Sequence, residues 1–259
     1  MIEGTSLLFF ILLLPGVAFL YASVGHGGAS GYLALMALFS FTPTLMKPTA
    51  LLLNLFVAGV AFYQFYKANH FKSNIFFPFV LTSIPAAFFG GMVTINSVVY
   101  KQILGLLLII ALVRMVWPLE NQKVEFRPIN KILAASLGLL IGLFSGMIGI
   151  GGGIILTPLI LLFRWGNVKT AAAVSALFIW VNSAAGMLGQ LSTGVSLEAY
   201  SWLFVVVAFG GGLLGSYFGS QKWSPKRVEY LLSGVLLLAS VKLIFCLLYT
   251  SDAADDRSC

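Results

Sequence analysis

Phe144-Ser145-Gly146-Met147-Ile148-Gly149-Ile150-Gly151-Gly152-Gly153-Ile154-Ile155-Leu156-Thr157-Pro158 decides the fold, because it ends one apolar run at residues 132–148 and opens another at 154–163. A second junction, Val24-Gly25-His26-Gly27-Gly28-Ala29-Ser30, separates the runs 7–24 and 31–41, and the first glycines of the two clusters lie 124 positions apart. Each junction reads as a helix broken inside a membrane. Broken helices at corresponding places in two halves of a membrane protein point to a transport site.

The composition agrees with that solvent: hydrophobic residues make up 59% of the chain and charged ones 9%. A crossing takes about 20 apolar residues. Runs of that size occupy residues 6–24, 48–66, 75–93, 99–117, 131–148, 170–189, 199–218 and 228–248. The connection at 118–130 is too short for a soluble domain. The first run has no Lys or Arg before it and carries Glu3 instead, so it reads as a retained helix rather than a cleaved signal. The net charge of +7 sits in loops between spans, the pattern of positive-inside bias rather than of a nucleic-acid surface. Two cysteines exclude a disulfide scaffold. The segment from Cys246 to Asp256 reads as a translated sequencing adapter and is set aside.

The halves match beyond their glycines. Lys47-Pro48-Thr49-Ala50 parallels Lys169-Thr170-Ala171-Ala172, Phe89-Gly90-Gly91 parallels the glycine-rich stretch from Phe209 to Gly215, and Val113-Arg114 parallels Val241-Lys242. The expected organisation is a first membrane repeat at 1–117, a linker at 118–130, a second repeat at 131–248 and a non-native tail at 249–259. Each repeat is a glycine-broken helical hairpin followed by three transmembrane helices.

Loop charges decide how the repeats are related. With hairpins that return to their own side, one side collects Lys67, Lys72, Lys123, Arg127, Lys131, Arg164, Lys169, Lys222, Lys226 and Arg227, against Lys47 and Lys101 on the other. The positive-inside rule therefore favours inverted repeats, a cytoplasmic linker and both termini outside. The expected fold is an all-α polytopic membrane protein built from two inverted repeats.

A break in hydrocarbon leaves backbone groups that cost several kcal/mol each unless protein, water or substrate satisfies them. The short helix after each break presents free N–H groups and a positive dipole end, which suits an anion. The candidate substrate-binding residues are thus Gly25, His26, Gly27, Gly28 and Ser30 in the first half, and Gly149, Gly151, Gly152, Gly153 and Thr157 in the second. Asn54, Gln64, Ser175, Asn182 and Gln190 are candidates for lining the path, with interhelical hydrogen bonding as the competing use. For Gly90-Gly91 and Gly210-Gly211-Gly212, close helix packing is the preferred reading. His26 is the one titratable side chain in either break and can carry a proton; packing is its competing use, since its repeat mate is Ile150. Every Asp and Glu maps to a loop, a span end or the tail, so no carboxylate coupling site is expected mid-membrane.

The second motif, with its weaker copy at Val24-Gly25-His26-Gly27-Gly28-Ala29-Ser30-Gly31-Tyr32-Leu33, resembles the sulfite exporter TauE/SafE family of membrane transporters, and the resemblance spans nearly the whole chain. It implies a bacterial or archaeal inner-membrane protein that moves sulfite, sulfoacetate or related small anions, often outward. Ala29 and Ser30 stand where the second copy has Gly153 and Ile154.

The expectation is a transporter of small anions in a lipid bilayer, with no cofactor, metal or nucleic acid. A passive anion channel, a cation permease and a non-transport assembly subunit are the alternatives. An intramembrane enzyme would need a nucleophile and base or a metal cluster. The chain offers only His26 and His70, no His-Glu-x-x-His and no intramembrane acid pair.

Overall fold

The computed structural model describes residues 4–96, 99, 100, 102, 103, 106 and 126–222. Among them every regular element is a helix: α1 (Gly4–Ser23), α2 (Ala29–Leu38), α3 (Pro43–Lys67), α4 (Ser73–Met92), α5 (Lys131–Ile148), α6 (Gly153–Leu162), α7 (Val168–Ser192) and α8 (Tyr200–Gln221). Helices satisfy their own backbone, which hydrocarbon demands. Five of them, α3, α4, α5, α7 and α8, are long and apolar enough to cross a membrane. The spans expected at 228–248 and over most of 99–117, the greater part of the 118–130 linker, Arg114, Lys242 and the tail lie outside the described residues.

Element lengths and caps repeat along the chain. The short helices α2 and α6 have 10 residues each, and the long α3 and α7 have 25 each. The turn after α2 places Ser40 at φ 58° while Phe41 N donates to Met36 O at 2.9 Å. After α6, Arg164 adopts φ 58° and Trp165 N donates to Ile160 O at 2.9 Å. Both are six-to-one Schellman closures around a left-handed residue. The ends of α3 and α7 are paired likewise, through His70 N to Phe65 O and Val195 N to Gln190 O.

α3 starts earlier than its apolar run suggests. Thr42 is its N-cap and Pro43 occupies its first turn, where a missing N–H costs nothing. Lys47, read from sequence as a loop charge, consequently falls within the helix and is buried, 8% exposed.

Packing exchanges partners between the halves. A Cβ on Gly211, Gly215 or Gly219 of α8 would strike the carbonyl of Pro15, Phe19 or Ser23 on α1. On α5, a Cβ at Gly138, Gly142 or Gly146 would strike the carbonyl of Phe79, Ser83 or Ala87 on α4. The spacing of four puts each set on one helix stripe, a small-residue seam that lets backbones approach closely. The broken long helix of each half thus lies against the fourth helix of the other, with α3 and α7 packed together between these pairs. Gly90, Gly91, Gly211 and Gly212 also meet neighbouring helices closely, whereas Gly210 faces open space. Leu8, Leu12, Leu81, Ile132 and Val206 point outward, as a lipid-facing surface requires.

The bundle has two distinct ends. At one, Arg127 N donates to Arg164 O at 2.9 Å, joining the close of the linker to the α6–α7 turn, and His70 feels the charge of Lys169. At the other, the α2–α3 turn, the end of α4 and the end of α7 surround one cavity. α3 therefore starts at the end where α7 finishes.

Candidate functional site

The site is built where the two breaks meet the middle of α3 and α7. Gly28 and Gly152 are the N-caps of α2 and α6, at φ 100° and 79°. Any side chain there would be strained in the left-handed region. A Cβ would also lie 2.6 Å from the Tyr32 ring at Gly28 and 2.6 Å from Ile141 Cγ2 at Gly152. The hydrogen-bond ladder of α2 opens with Tyr32 N donating to Gly28 O, and that of α6 with Ile155 N and Leu156 N donating to Gly152 O. The N–H groups ahead of them have no partner within their own helix.

Two further glycines converge on one pair of side chains. A Cβ at Gly27 would lie 2.5 Å from Asn54 Oδ1 and 2.9 Å from Ile179 Cγ2; at Gly151 it would lie 2.6 Å from Asn54 Nδ2 and 2.8 Å from Ile179 Cγ2. Asn54 is fully buried, donates from Nδ2 to Ser183 Oγ at 3.2 Å, and leaves Oδ1 without a hydrogen-bond partner. Asn182 donates to Phe178 O at 2.8 Å, and its Oδ1 is likewise unpartnered. Buried polar atoms in this state are uncommon. The one on Asn54 lies against both breaks.

A hydroxyl chain crosses from one half to the other. His26 Nε2 lies 3.2 Å from Thr157 Oγ1, which donates to Ser175 Oγ at 2.8 Å. His26 Nδ1 lies 3.2 Å from Val24 O, an atom that can only accept. With Nδ1 as donor, the neutral ring accepts from Thr157 through Nε2. The doubly protonated ring donates to Thr157, whose single O–H then donates to Ser175, whereas with the neutral ring that O–H turns to His26 and Ser175 donates to Thr157. The chain thus accommodates both charge states of His26 by reversing its hydroxyls.

Of the other expected site residues, Gly25 packs against Ala172 and Gly153 against Ile179. Ser30 Oγ donates to Tyr21 OH at 3.1 Å, which turns it toward α1. Gly149 lies against Lys47, whose carbonyl would be 3.1 Å from a Cβ there. Gln64 sits three residues before the end of α3 and has no hydrogen bond to either break. Gln190 is at the far end of α7, in the cavity. The structure thus joins His26, Thr157 and Ser175, and sets Asn54 between the breaks, with Gln64 and Gln190 outside this group.

Ile179, Ser183, Lys47 and Tyr100 are additions that sequence reading did not supply. Ile179 carries no polar signal. Lys47 was legible through Thr42-Pro43, a helix start that puts the lysine inside the span. Among the described residues no cluster of metal-binding side chains occurs.

The profile of the sulfite exporter TauE/SafE family matches residues 8–243. The "probable membrane transporter protein y4hK" of Sinorhizobium fredii is 35% identical over 93% of this chain and 98% of its own length. The "probable membrane transporter protein YunE" of Bacillus subtilis is 26% identical over 79% of this chain and 82% of its own. No solved structure matches.

Proposed function

Since this chain belongs to the sulfite exporter TauE/SafE family and is a multi-pass membrane transporter of that family, we propose that it carries small anions through the two breaks. Sulfite, sulfoacetate and related sulfur-containing or carboxylate anions are the substrates, and export is the direction. The residues forming the anion site are Gly25, His26, Gly27 and Gly28 from one half and Gly149, Gly151, Gly152, Gly153 and Thr157 from the other, with Asn54 and Ser175 beside them, Asn182 further along the path and Ser30 held by Tyr21 behind the first break. Gln64 and Gln190 belong to the approaches.

One observation carries this reading: Gly27 and Gly151 close on the same two side chains, Asn54 and Ile179. A site shared equally by two breaks is what inverted repeats around a midplane axis produce. The opposed directions of α3 and α7, read from the cavity that one begins at and the other ends at, support the inversion. Arg127, Arg164 and Lys169 gather at the opposite end, which supports a cytoplasmic linker and both termini outside an inner membrane.

The anion is held by helix N-termini and hydroxyls, with an imidazole able to add a charge. Rocking of one repeat against the other would expose the breaks to each side in turn. An inside-negative potential favours outward movement by about 2.3 kcal/mol per charge per 100 mV, so export runs without a coupling carboxylate.

The test is flux of radiolabelled sulfite from proteoliposomes, with sulfate, oxalate and chloride as competitors. Saturable efflux, inhibited by one or two oxyanions and accelerated by an inside-negative potential, is expected. Flux that never saturates would make the protein a pore, and flux of cations alone would overturn the reading.

A further inference from the structure

We propose that Lys47 is the cation of a second anion subsite, an antechamber at the end of the bundle away from the linker, distinct from the breaks. Its ligands are small oxyanions of the transported class, so the proposal rests on the anion-transport reading.

The cavity there has a volume of about 510 Å³, within the range of small-ligand sites. Lys47, Gln190, Tyr100, Thr42, Thr44 and Thr193 are among the residues that line it. Lys47 is 8% exposed, and its Nζ donates to Gly91 O at 3.0 Å and Val93 O at 3.3 Å. An ammonium has three donors, so one remains for a ligand. Of all the acids in the chain, Glu198 alone falls among the described residues, and it does not line the cavity. Among the described residues Lys47 therefore has no carboxylate partner, and a buried charge left unpaired is costly. An anion in the cavity would supply one.

Gln190 is the second observation. It is 5% exposed, lines the same cavity, and leaves Oε1 without a hydrogen-bond partner. A half-turn of its amide presents two donors in place of the acceptor.

The competing use of Lys47 is to cap α4, since Gly91 and Val93 lie at that helix's carboxyl end. Lys169, the second residue of α7 where Lys47 is the fifth of α3, makes a comparable contact with Ser220 O at 3.3 Å near the end of α8. It does so from a less buried position, so capping does not account for the burial of Lys47 or its place in a cavity.

The antechamber adjoins the transport site. The backbone of Lys47 packs on Gly149, and Tyr100 OH donates to Ile148 O at 2.9 Å, directly before the second break. An anion leaving the breaks on this side would reach Lys47 next.

The test is anion binding by the full-length protein in detergent, using sodium sulfite and sodium sulfoacetate against sodium chloride at matched ionic strength. Wild type, Lys47→Met, Lys47→Arg and Gln190→Glu are compared by calorimetry and thermal unfolding. Lys47→Met should weaken oxyanion binding tenfold or more, and Lys47→Arg should hold it within threefold. Gln190→Glu places a resident carboxylate in the cavity. It should weaken binding at pH 7.5 and recover as the new carboxyl protonates, which keeps the proposal testable should Lys47→Met not fold. Wild-type affinity in Lys47→Met and Gln190→Glu, with a lowered unfolding temperature in the former, would make Lys47 a helix cap and overturn the subsite while leaving anion transport intact. Absence of oxyanion binding in wild type would overturn both.

Discussion

Asn54 and Ile179 hold the same position in their helices, the twelfth residue of α3 and of α7, and each lies against both Gly27 and Gly151. One polar and one apolar side chain therefore occupy equivalent places at the centre of the molecule. The helix lengths match while the chemistry at this position does not.

Gly27→Ala brings a Cβ to 2.5 Å from Asn54 Oδ1, and Gly151→Ala brings one to 2.6 Å from Asn54 Nδ2. Either change should slow transport at least tenfold. Ile179→Ala, which clears space beside both, should restore part of the loss in Gly27→Ala. A double-mutant cycle on flux checks this coupling. Gly210→Ala, in open space, should transport as wild type.

Thr157→Val removes the hydroxyl between His26 and Ser175. These bonds are half-buried, so their loss costs up to about 1–3 kcal/mol where partners are left unpaired, and flux should fall by up to roughly tenfold. Thr157→Ser should keep most of it. The dependence of flux on pH between about 5 and 8, where histidine titrates, should flatten in Thr157→Val and in His26→Gln alike. An unchanged pH profile in both variants would remove His26 from the mechanism.

The all-helical, multi-span architecture was legible because glycine breaks and the lengths of apolar runs are sequence-local quantities. Gly149 to Gly153 announced the second break without help from the fold, and the first break followed by its spacing. The residues gathered around the breaks were legible only by type: Asn54, Ser175 and Asn182 stood out as polar in apolar runs. Their partners did not. Whether Ser30 turns toward Tyr21 or toward a substrate depends on which helix packs beside it, and Ile179 has no feature apart from its place on α7. Thr42-Pro43 places Lys47 inside α3, but the carbonyls it reaches, those of Gly91 and Val93, lie 44 and 46 residues further on, where no local pattern points to them.

Gly215→Leu should drive a side chain into the Phe19 carbonyl on α1, and Gly142→Leu into that of Ser83 on α4. Overpacking costs about 1–3 kcal/mol or more, here at a backbone contact that cannot yield by rotamer change. Both variants should unfold several degrees below wild type in detergent. Gly210→Leu should match wild type in the same assay.

His70 lies between α3 and α4, outside the spans, with its pKa lowered from 6.5 by burial first and then by the charge of Lys169, against an opposing backbone hydrogen bond at Ser220. A depressed histidine pKa means that the unfolded chain binds the proton more readily than the folded one. The neutral ring therefore contributes stability that is present above pH 6.5 and is lost as pH falls through the folded value. The unfolding temperature should decline from pH 7.5 to pH 5, and His70→Gln should reduce that decline. Equal slopes in the two proteins would place the acid sensitivity elsewhere.

The seams between α1 and α8 and between α4 and α5 also set a timetable for biogenesis. α1 ends at Ser23, and its glycine-lined partner does not begin until Tyr200. At about 5–20 residues per second of synthesis, the first helix leaves the ribosome roughly 10–40 s before the surface it packs on exists. During that interval the α1 face at Pro15, Phe19 and Ser23 must be sheltered by lipid or by the insertion machinery. Neither half is a finished folding unit, so a chain halted after the linker would hold an unclosed bundle, and quality control has a defined surface by which to recognise it.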